Sequence, residues 1–214
     1  MAQVLIIGAS RGIGLETVRR ALAAGHELRA LARSAAAIPI DDPRLRKIAA
    51  DALDSTAVAS AVSGCDAVIE ALGVAGGPST VLQGTQLFSR ATRVLIEAMH
   101  AARVRRLIAV TGFGAGDSRG HGGFLYGAVL FPLLLKRIYD DKDVQEQMVR
   151  SSGLDWTIVR PGLLTNGPAT GAYRVLVEPA QWRFGSISRA DVADFLVRQI
   201  GDRQYAAKTP VLIS

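Results

Sequence analysis

Short hydrophobic runs rich in Val, Ile and Leu alternate along the chain with longer stretches in which apolar residues return every three or four positions. A short apolar run bounded by turn-forming residues suits a strand buried on both faces. The longer period suits a helix lying on a sheet. The pattern predicts strands at 4–7, 27–32, 46–50, 67–70, 107–110, 156–159 and 210–213, with helices near 13–24, 55–63, 82–102, 133–152 and 189–201. Strand and crossover in alternation imply an α/β fold, a doubly wound and mostly parallel sheet of about seven strands with helices on both faces. No internal repeat, charge tract or Ser/Pro-rich linker interrupts the pattern, so residues 1–214 read as one domain.

Two stretches depart from the alternation. Residues 112–123 hold six Gly in twelve positions after a predicted strand and read as a mobile loop. Residues 124–135 are almost uncharged and end at Lys136 and Arg137. That run is too short to span a bilayer, which takes about 20 apolar residues. It reads as a buried or subunit-facing helix beginning near Pro132, with a pocket lid or a membrane-surface contact as the alternatives. With the long helix at 82–102 it offers a candidate face for a homodimer, and no integral membrane segment is expected.

Composition narrows the partners. A chain of 214 residues with 49% hydrophobic positions buries about 70% of its unfolded surface, enough for a core without disulfides or structural metal. Cys65 is the single cysteine, so an internal disulfide and a zinc cluster are both excluded and no metal site is expected. The 25 basic residues outnumber the 19 acidic ones, but only four are Lys and the Arg are scattered from Arg11 to Arg203. Scattered Arg argues against a nucleic-acid partner and for a field that favours small phosphorylated anions. Met1, Ala2 and Gln3 run straight into the first strand with no signal-peptide pattern, which makes the cytoplasm the expected location.

The chemistry starts after the first strand, at Gly8-Ala9-Ser10-Arg11-Gly12-Ile13-Gly14. A strand that turns at once into a helix needs small residues if its backbone is to approach a pyrophosphate, whose charge is then met by free N–H groups and the helix dipole. The Gly-x-x-x-Gly-x-Gly spacing resembles the glycine motif of the short-chain dehydrogenase/reductase superfamily and implies a Rossmann fold. Past the second strand, an acidic residue would hold the ribose diol of NAD and a base would hold the extra phosphate of NADP. Arg33 stands there, with Ser34 beside it and Arg11 in the turn, so NADP(H) is expected over NAD(H). Asp51, followed by Ala52, ends the third predicted strand and resembles the superfamily's adenine-binding Asp, while Asp54 or Ser55 suits the cap of the next helix better. Ala71, Leu72 and Gly73 are small enough to pass along a cofactor. Gly8, Ser10, Arg11, Gly12, Ile13, Arg33, Ser34, Asp51, Ala52, Ala71, Leu72 and Gly73 are therefore candidate cofactor ligands. Their clustering at the C-terminal ends of strands is where an open α/β sheet binds its ligand.

Ser152-Gly153-Leu154-Asp155-Trp156 through Arg160-Pro161-Gly162, and later Ser188-Arg189-Ala190-Asp191-Val192-Ala193, look like the atypical short-chain reductases. That NAD(P)H-binding, single-domain group includes biliverdin/flavin reductases, quinone reductases and nitrogen-metabolite-repressor-like sensors. The resemblance implies that Pro161 meets the nicotinamide end, that 163–166 line the substrate side, and that Asp191 caps the last helix. Conventional members of the superfamily catalyse with a Ser and a Tyr-x-x-x-Lys. Here Gly112 stands at the Ser position beside Thr111, Tyr139 is one residue too close to Lys142, and Ile138 stands where the Tyr belongs. Tyr126 has Leu130 four residues on, not Lys. Tyr139, Lys142 and Thr111 are the catalytic candidates, Lys142 also as a ribose ligand with a pairing to Glu146 as its alternative. His121 is a candidate general acid, whereas His26 and His100 read as structural. Without the Tyr-Lys pair, hydride transfer to a small conjugated acceptor such as a flavin or quinone is the expected activity. The alternatives are a non-catalytic NADP(H) sensor and a sugar-nucleotide or carbonyl-modifying enzyme.

Overall fold

The computed structural model describes residues 1–74, 85–121 and 136–214. The first strand, β1 (Gln3–Ile7), leads into α1 (Gly12–Ala23), β2 (Glu27–Ala32), β3 (Leu45–Ala49), α2 (Ser55–Val62) and β4 (Ala67–Glu70). The later part holds α3 (Leu87–Ala101), β5 (Arg106–Val110), α4 (Lys136–Ser151), β6 (Asp155–Pro161), β7 (Leu163–Thr165), β8 (Arg174–Leu176), β9 (Ser186–Ser188), α5 (Arg189–Arg198) and β10 (Val211–Ile213). Eight strands form one sheet in the order β3-β2-β1-β4-β5-β6-β10-β8, and β7 pairs with β9 in a separate two-stranded sheet. All neighbours in the large sheet run parallel except β8, which joins β10 antiparallel at the edge. The order 3-2-1-4-5-6 is that of the Rossmann fold, whose ligand crevice opens where strand order reverses beside β1.

Strand β1 shows why both faces are covered. Its residues Val4 to Ile7 are all buried, and successive side chains point to opposite layers. Val4 and Ile6 join the core that contains Val18 and Leu22 of α1 and Phe195 and Leu196 of α5. Leu5 and Ile7 join the other core, with Val58 and Val62 of α2 and Leu95 and Met99 of α3. Registers align the functional ends, since Ile7 pairs with Leu31 on one side and with Glu70 on the other, and Ala109 of β5 pairs with Glu70. Gly8, Ala32, Ala71 and Val110 consequently emerge from the same edge of the sheet.

Most predicted boundaries agree to a residue or two. The three-residue strands β7, β8 and β9 are additions, because three residues are too few to carry a period-two signal. Residues 112–121 are not the loose loop expected from their glycine content. The Phe113 N–H donates to Pro161 O (2.9 Å) and the Gly116 N–H to Asp143 Oδ1 (2.6 Å), so the segment continues the hydrogen bonding of β5 to β6 and then docks on α4. The run at 124–135, Tyr126 within it, and the predicted helix starts at 82–84 and 133–135 lie outside the described residues. No helix among the described residues is long and apolar enough to cross a membrane.

Helix α2 is capped by Asp54, whose carboxylate accepts from the Thr56 and Ala57 N–H groups at 3.0 Å. Replacing it by Ala is expected to cost about 1 kcal/mol, seen as a lower urea midpoint with an unchanged denaturant slope.

Candidate functional site

The turn after β1 is shaped by contact. Gly8 has φ +83°, and a β carbon there would stand 2.6 Å from the Ala71 carbonyl oxygen. A β carbon on Gly14 would collide with the Gly8 carbonyl, so the first turn of α1 sits directly on the turn that precedes it. Arg11 occupies the N-cap in an extended conformation without a side-chain cap, and the first turn of α1 holds no acidic residue. Its N–H groups are left to an anion at the end of the helix where the dipole is positive. A cradle that a β carbon would fill, at an uncapped helix start, fits the phosphates of a dinucleotide.

The cradle opens into a cavity of about 1350 Å³ along the C-terminal edge of the sheet. Single drug-sized ligands occupy roughly 300–1,000 Å³, so a dinucleotide and a second small molecule fit together. On the β2 and β3 side, Ser34 Oγ donates to Ser10 Oγ (3.0 Å), tying the end of β2 to the glycine turn, and exposed Arg11 and Arg33 line the same rim. Asp51 and Ala52 line the cavity as well, and Asp51 accepts from the Leu53 N–H (3.0 Å) while Asp54 caps α2. Ile13, Ala71, Leu72 and Gly73 continue the wall towards β5, where Thr111, Lys142 and Pro161 close it.

Tyr139 is the candidate that the structure keeps out of this wall. Ile138 and Lys142, one helical turn apart, face the cavity. Tyr139 turns towards the chain past β5, where a β carbon on Gly112 would lie 2.7 Å from its hydroxyl oxygen. The phenol thus fills the space that a residue-112 side chain would occupy. His121 packs its ring against Trp182 (centroids 5.4 Å apart), away from the cavity. Asp191 is not the cap of α5: Ser188 Oγ accepts from the Asp191 N–H (2.9 Å), and the Asp191 carboxylate accepts from the Thr170 and Gly171 N–H groups instead.

Behind Lys142 lies a buried polar network that the periodicity gave no reason to expect. Lys142 is 8% exposed; its Nζ donates to the Thr111 carbonyl (2.7 Å) and stands 4.2 Å from the centre of the Phe88 ring. Burial lowers its pKa to about 8, against the opposing pull of Glu70, Glu146 and Asp141. Glu146 is therefore not a surface partner of Lys142. It accepts from the Thr111 hydroxyl (2.8 Å) and from Nε of Arg160 (2.9 Å), and Arg160 reaches on to Asp117 (2.6 Å). Glu70, fully buried at the end of β4, accepts from the Thr92 hydroxyl (2.8 Å) and from Gln145 (3.2 Å). The available signal was a charged residue closing an otherwise apolar buried strand, which occurs in Glu70 on β4 and in Arg160 before Pro161 on β6.

Burial pushes the Glu70 carboxyl up to about 7, with Thr92, Gln145 and Lys142 pulling the other way. The unfolded chain releases that proton near pH 4.5 and the folded chain only near 7, so the folded state binds more protons in between. This group's contribution to stability consequently falls as pH rises through that window. Relative to Glu70→Gln, the wild type is expected to lose on the order of 3 kcal/mol across it, measured by urea unfolding at a series of pH values. A difference that stays constant with pH would contradict the assignment.

The family described as NAD(P)H-binding matches the chain over residues 8–203. The chain is 32% identical over 147 residues to the uncharacterized sugar epimerase YhfK of Bacillus subtilis strain 168, a match covering 68% of this chain and 62% of that protein. It is 33% identical over 184 residues to a 3-diazoavenalumate denitrifying reductase of a Streptomyces species, covering 80% of this chain and 59% of that protein. The chain thus spans about three fifths of the length of these two curated relatives. Among solved structures, ChuY, an anaerobillin reductase from Escherichia coli O157:H7, superposes with a TM-score of 0.78 at 26% identity, covering 99% of this chain and 96% of that one. The matched region begins at the first glycine of the cradle and ends beyond α5, and on that match, with the fold and cavity described above, the chain belongs to the NAD(P)H-binding family.

Proposed function

We propose that this NAD(P)H-binding protein is a reductase that passes hydride from NADPH to a small conjugated acceptor of the flavin, quinone or tetrapyrrole class. The observation that carries the reading is the apolar end of the cavity. Ile138 lines it one turn before Lys142, where the conventional superfamily places its proton-donating Tyr, and Leu87, Phe88, Pro161 and Leu164 complete the wall. Reduction of a simple ketone requires prompt protonation of an alkoxide. A conjugated acceptor spreads the arriving charge over its ring system and takes its proton from water.

The nicotinamide supplies the hydride when it is bound. The protein's own part is to orient cofactor and acceptor against one another. The glycine turn and the start of α1 hold the pyrophosphate, Arg11 and Arg33 hold the ribose phosphate, Asp51 meets the adenine, and Lys142 holds the nicotinamide ribose. Two relatives carry names of reductases, which supports this reading. The epimerase named among the relatives supports a second reading, in which a sugar hydroxyl is deprotonated by Tyr139. The cavity wall weighs against it, since Ile138 and Lys142 line it and Tyr139 does not.

Fluorescence titration is expected to show tighter binding of NADPH than NADH. Arg33→Ala should weaken NADPH about tenfold or more and leave NADH unchanged; equal affinity of the wild type for both would overturn the phosphate assignment. NADPH oxidation with a panel of flavins, quinones and dyes is the expected activity, and Tyr139→Phe should keep most of the rate. Loss of activity in that variant would favour the epimerase reading, and tight binding without turnover across the panel a sensor.

A further inference from the structure

Arg189 has no part in the assignments above, yet it lines the same cavity as Arg11 and Arg33. It is the first residue of α5 and lines the cavity, and its Nε lies 3.8 Å from the position a β carbon would take on Gly12. Gly12 has φ +58° and is the first residue of α1, so the guanidinium stands beside the start of that helix. One edge of the fork is held by the protein: Nη1 donates to Asn166 Oδ1 (2.6 Å) and to the Thr165 carbonyl (3.2 Å). Among the described residues, Nε and Nη2 donate to no protein atom, which leaves the edge that grips a phosphate in two-point fashion.

Charge gives the same answer. A pyrophosphate brings two negative charges, and a helix start contributes only about half a positive charge. With Arg11 and Arg33 directed to the ribose phosphate, a further full positive charge is wanted at the turn itself, and Arg189 is placed to supply it.

Its protein-held edge has a second consequence. Residues 163–171, β7 and the segment after it, are fastened to the start of α5 at Thr165 and Asn166 by Arg189 and at Thr170 and Gly171 by Asp191. Leu164, Asn166, Pro168 and Ala169 of that segment line the cavity, Leu164 in the wall given above to the acceptor. We infer that Arg189 pairs with the cofactor's pyrophosphate and, through Asn166 and Thr165, transmits cofactor occupancy to the wall that receives the acceptor. The inference rests on the NADP(H) reading given above and extends it to an order of binding, cofactor before acceptor.

The test needs no acceptor. NADPH, NADH and ADP are titrated into wild type, Arg189→Gln, Arg189→Lys and Arg33→Ala, and amide hydrogen exchange of residues 163–171 is followed with and without saturating NADPH. Arg189→Gln is expected to weaken all three ligands by a common factor of about tenfold, with Arg189→Lys in between because it restores charge without the fork. Arg33→Ala should weaken NADPH alone. Cofactor should slow exchange at 163–171 in the wild type, and the slowing should disappear in Arg189→Gln even at saturation. Affinities within about twofold of wild type in Arg189→Gln, or undiminished slowing there, would overturn the inference while leaving the NADP(H) reading intact. Failure of the wild type to bind either dinucleotide would overturn both. An unaltered melting temperature of ligand-free Arg189→Gln separates loss of contact from loss of fold, and Arg189→Lys repeats the comparison with the charge in place.

Discussion

Everything at the ligand edge of this protein depends on how closely α1 approaches β1. The Gly8 carbonyl oxygen lies within collision distance of where a Gly14 β carbon would be, and the Ala71 carbonyl oxygen 2.6 Å from where a Gly8 β carbon would be. Two missing methyl groups therefore allow strand, turn and helix to stack against the end of β4. That stacking aims the uncapped start of α1 along the crevice where strand order reverses. A bulkier residue at either place would displace the helix and move its unpaired N–H groups away from the cavity. The register of β1 with β2 and β4, and of β2 with β3, then sets Arg33, Asp51 and Ala71 around the same opening.

The opposite end of the cavity is built from charge that water cannot reach. Burying Lys142, Glu70, Glu146 and Arg160 is costly, and such groups persist where each is met by an opposite charge or a hydrogen bond. Thr111 links both ends of that arrangement: its carbonyl accepts from Lys142 and its hydroxyl donates to Glu146. Arg160 and Asp117 then bind the segment beyond β5 to β6. Ile138 and Phe88 of the apolar wall are thereby backed by a buried layer of paired polar groups.

The glycine turn and the strand ends were legible in the sequence because they obey local rules. Gly8, Gly12 and Gly14 answer to backbone sterics within seven residues, and Arg33 and Asp51 follow their strands directly. The direction of Tyr139 was not legible: on a helix, residues three and four apart share a face, so Tyr139 with Lys142 and Ile138 with Lys142 are equally good pairs until the helix is docked. Asp191 and Ser188 divide their roles for a similar reason. Either suits a helix start, and only the nearness of Thr170 and Gly171 gives the carboxylate its other task.

By itself the sequence determined an alternation of strands and helices that makes an α/β, mostly parallel sheet, a glycine-rich turn after the first strand and a scatter of Arg suited to anionic ligands, since hydrophobic periodicity and turn chemistry act over a few neighbouring residues. Tertiary structure alone decided which face of α4 lines the cavity, how Glu70 and Arg160 are paired inside it, and that Arg189 comes to lie over Gly12. Those placements join residues from distant parts of the chain, and their energies arise from burial, charge pairing and contact that exist only once the sheet has brought the segments together.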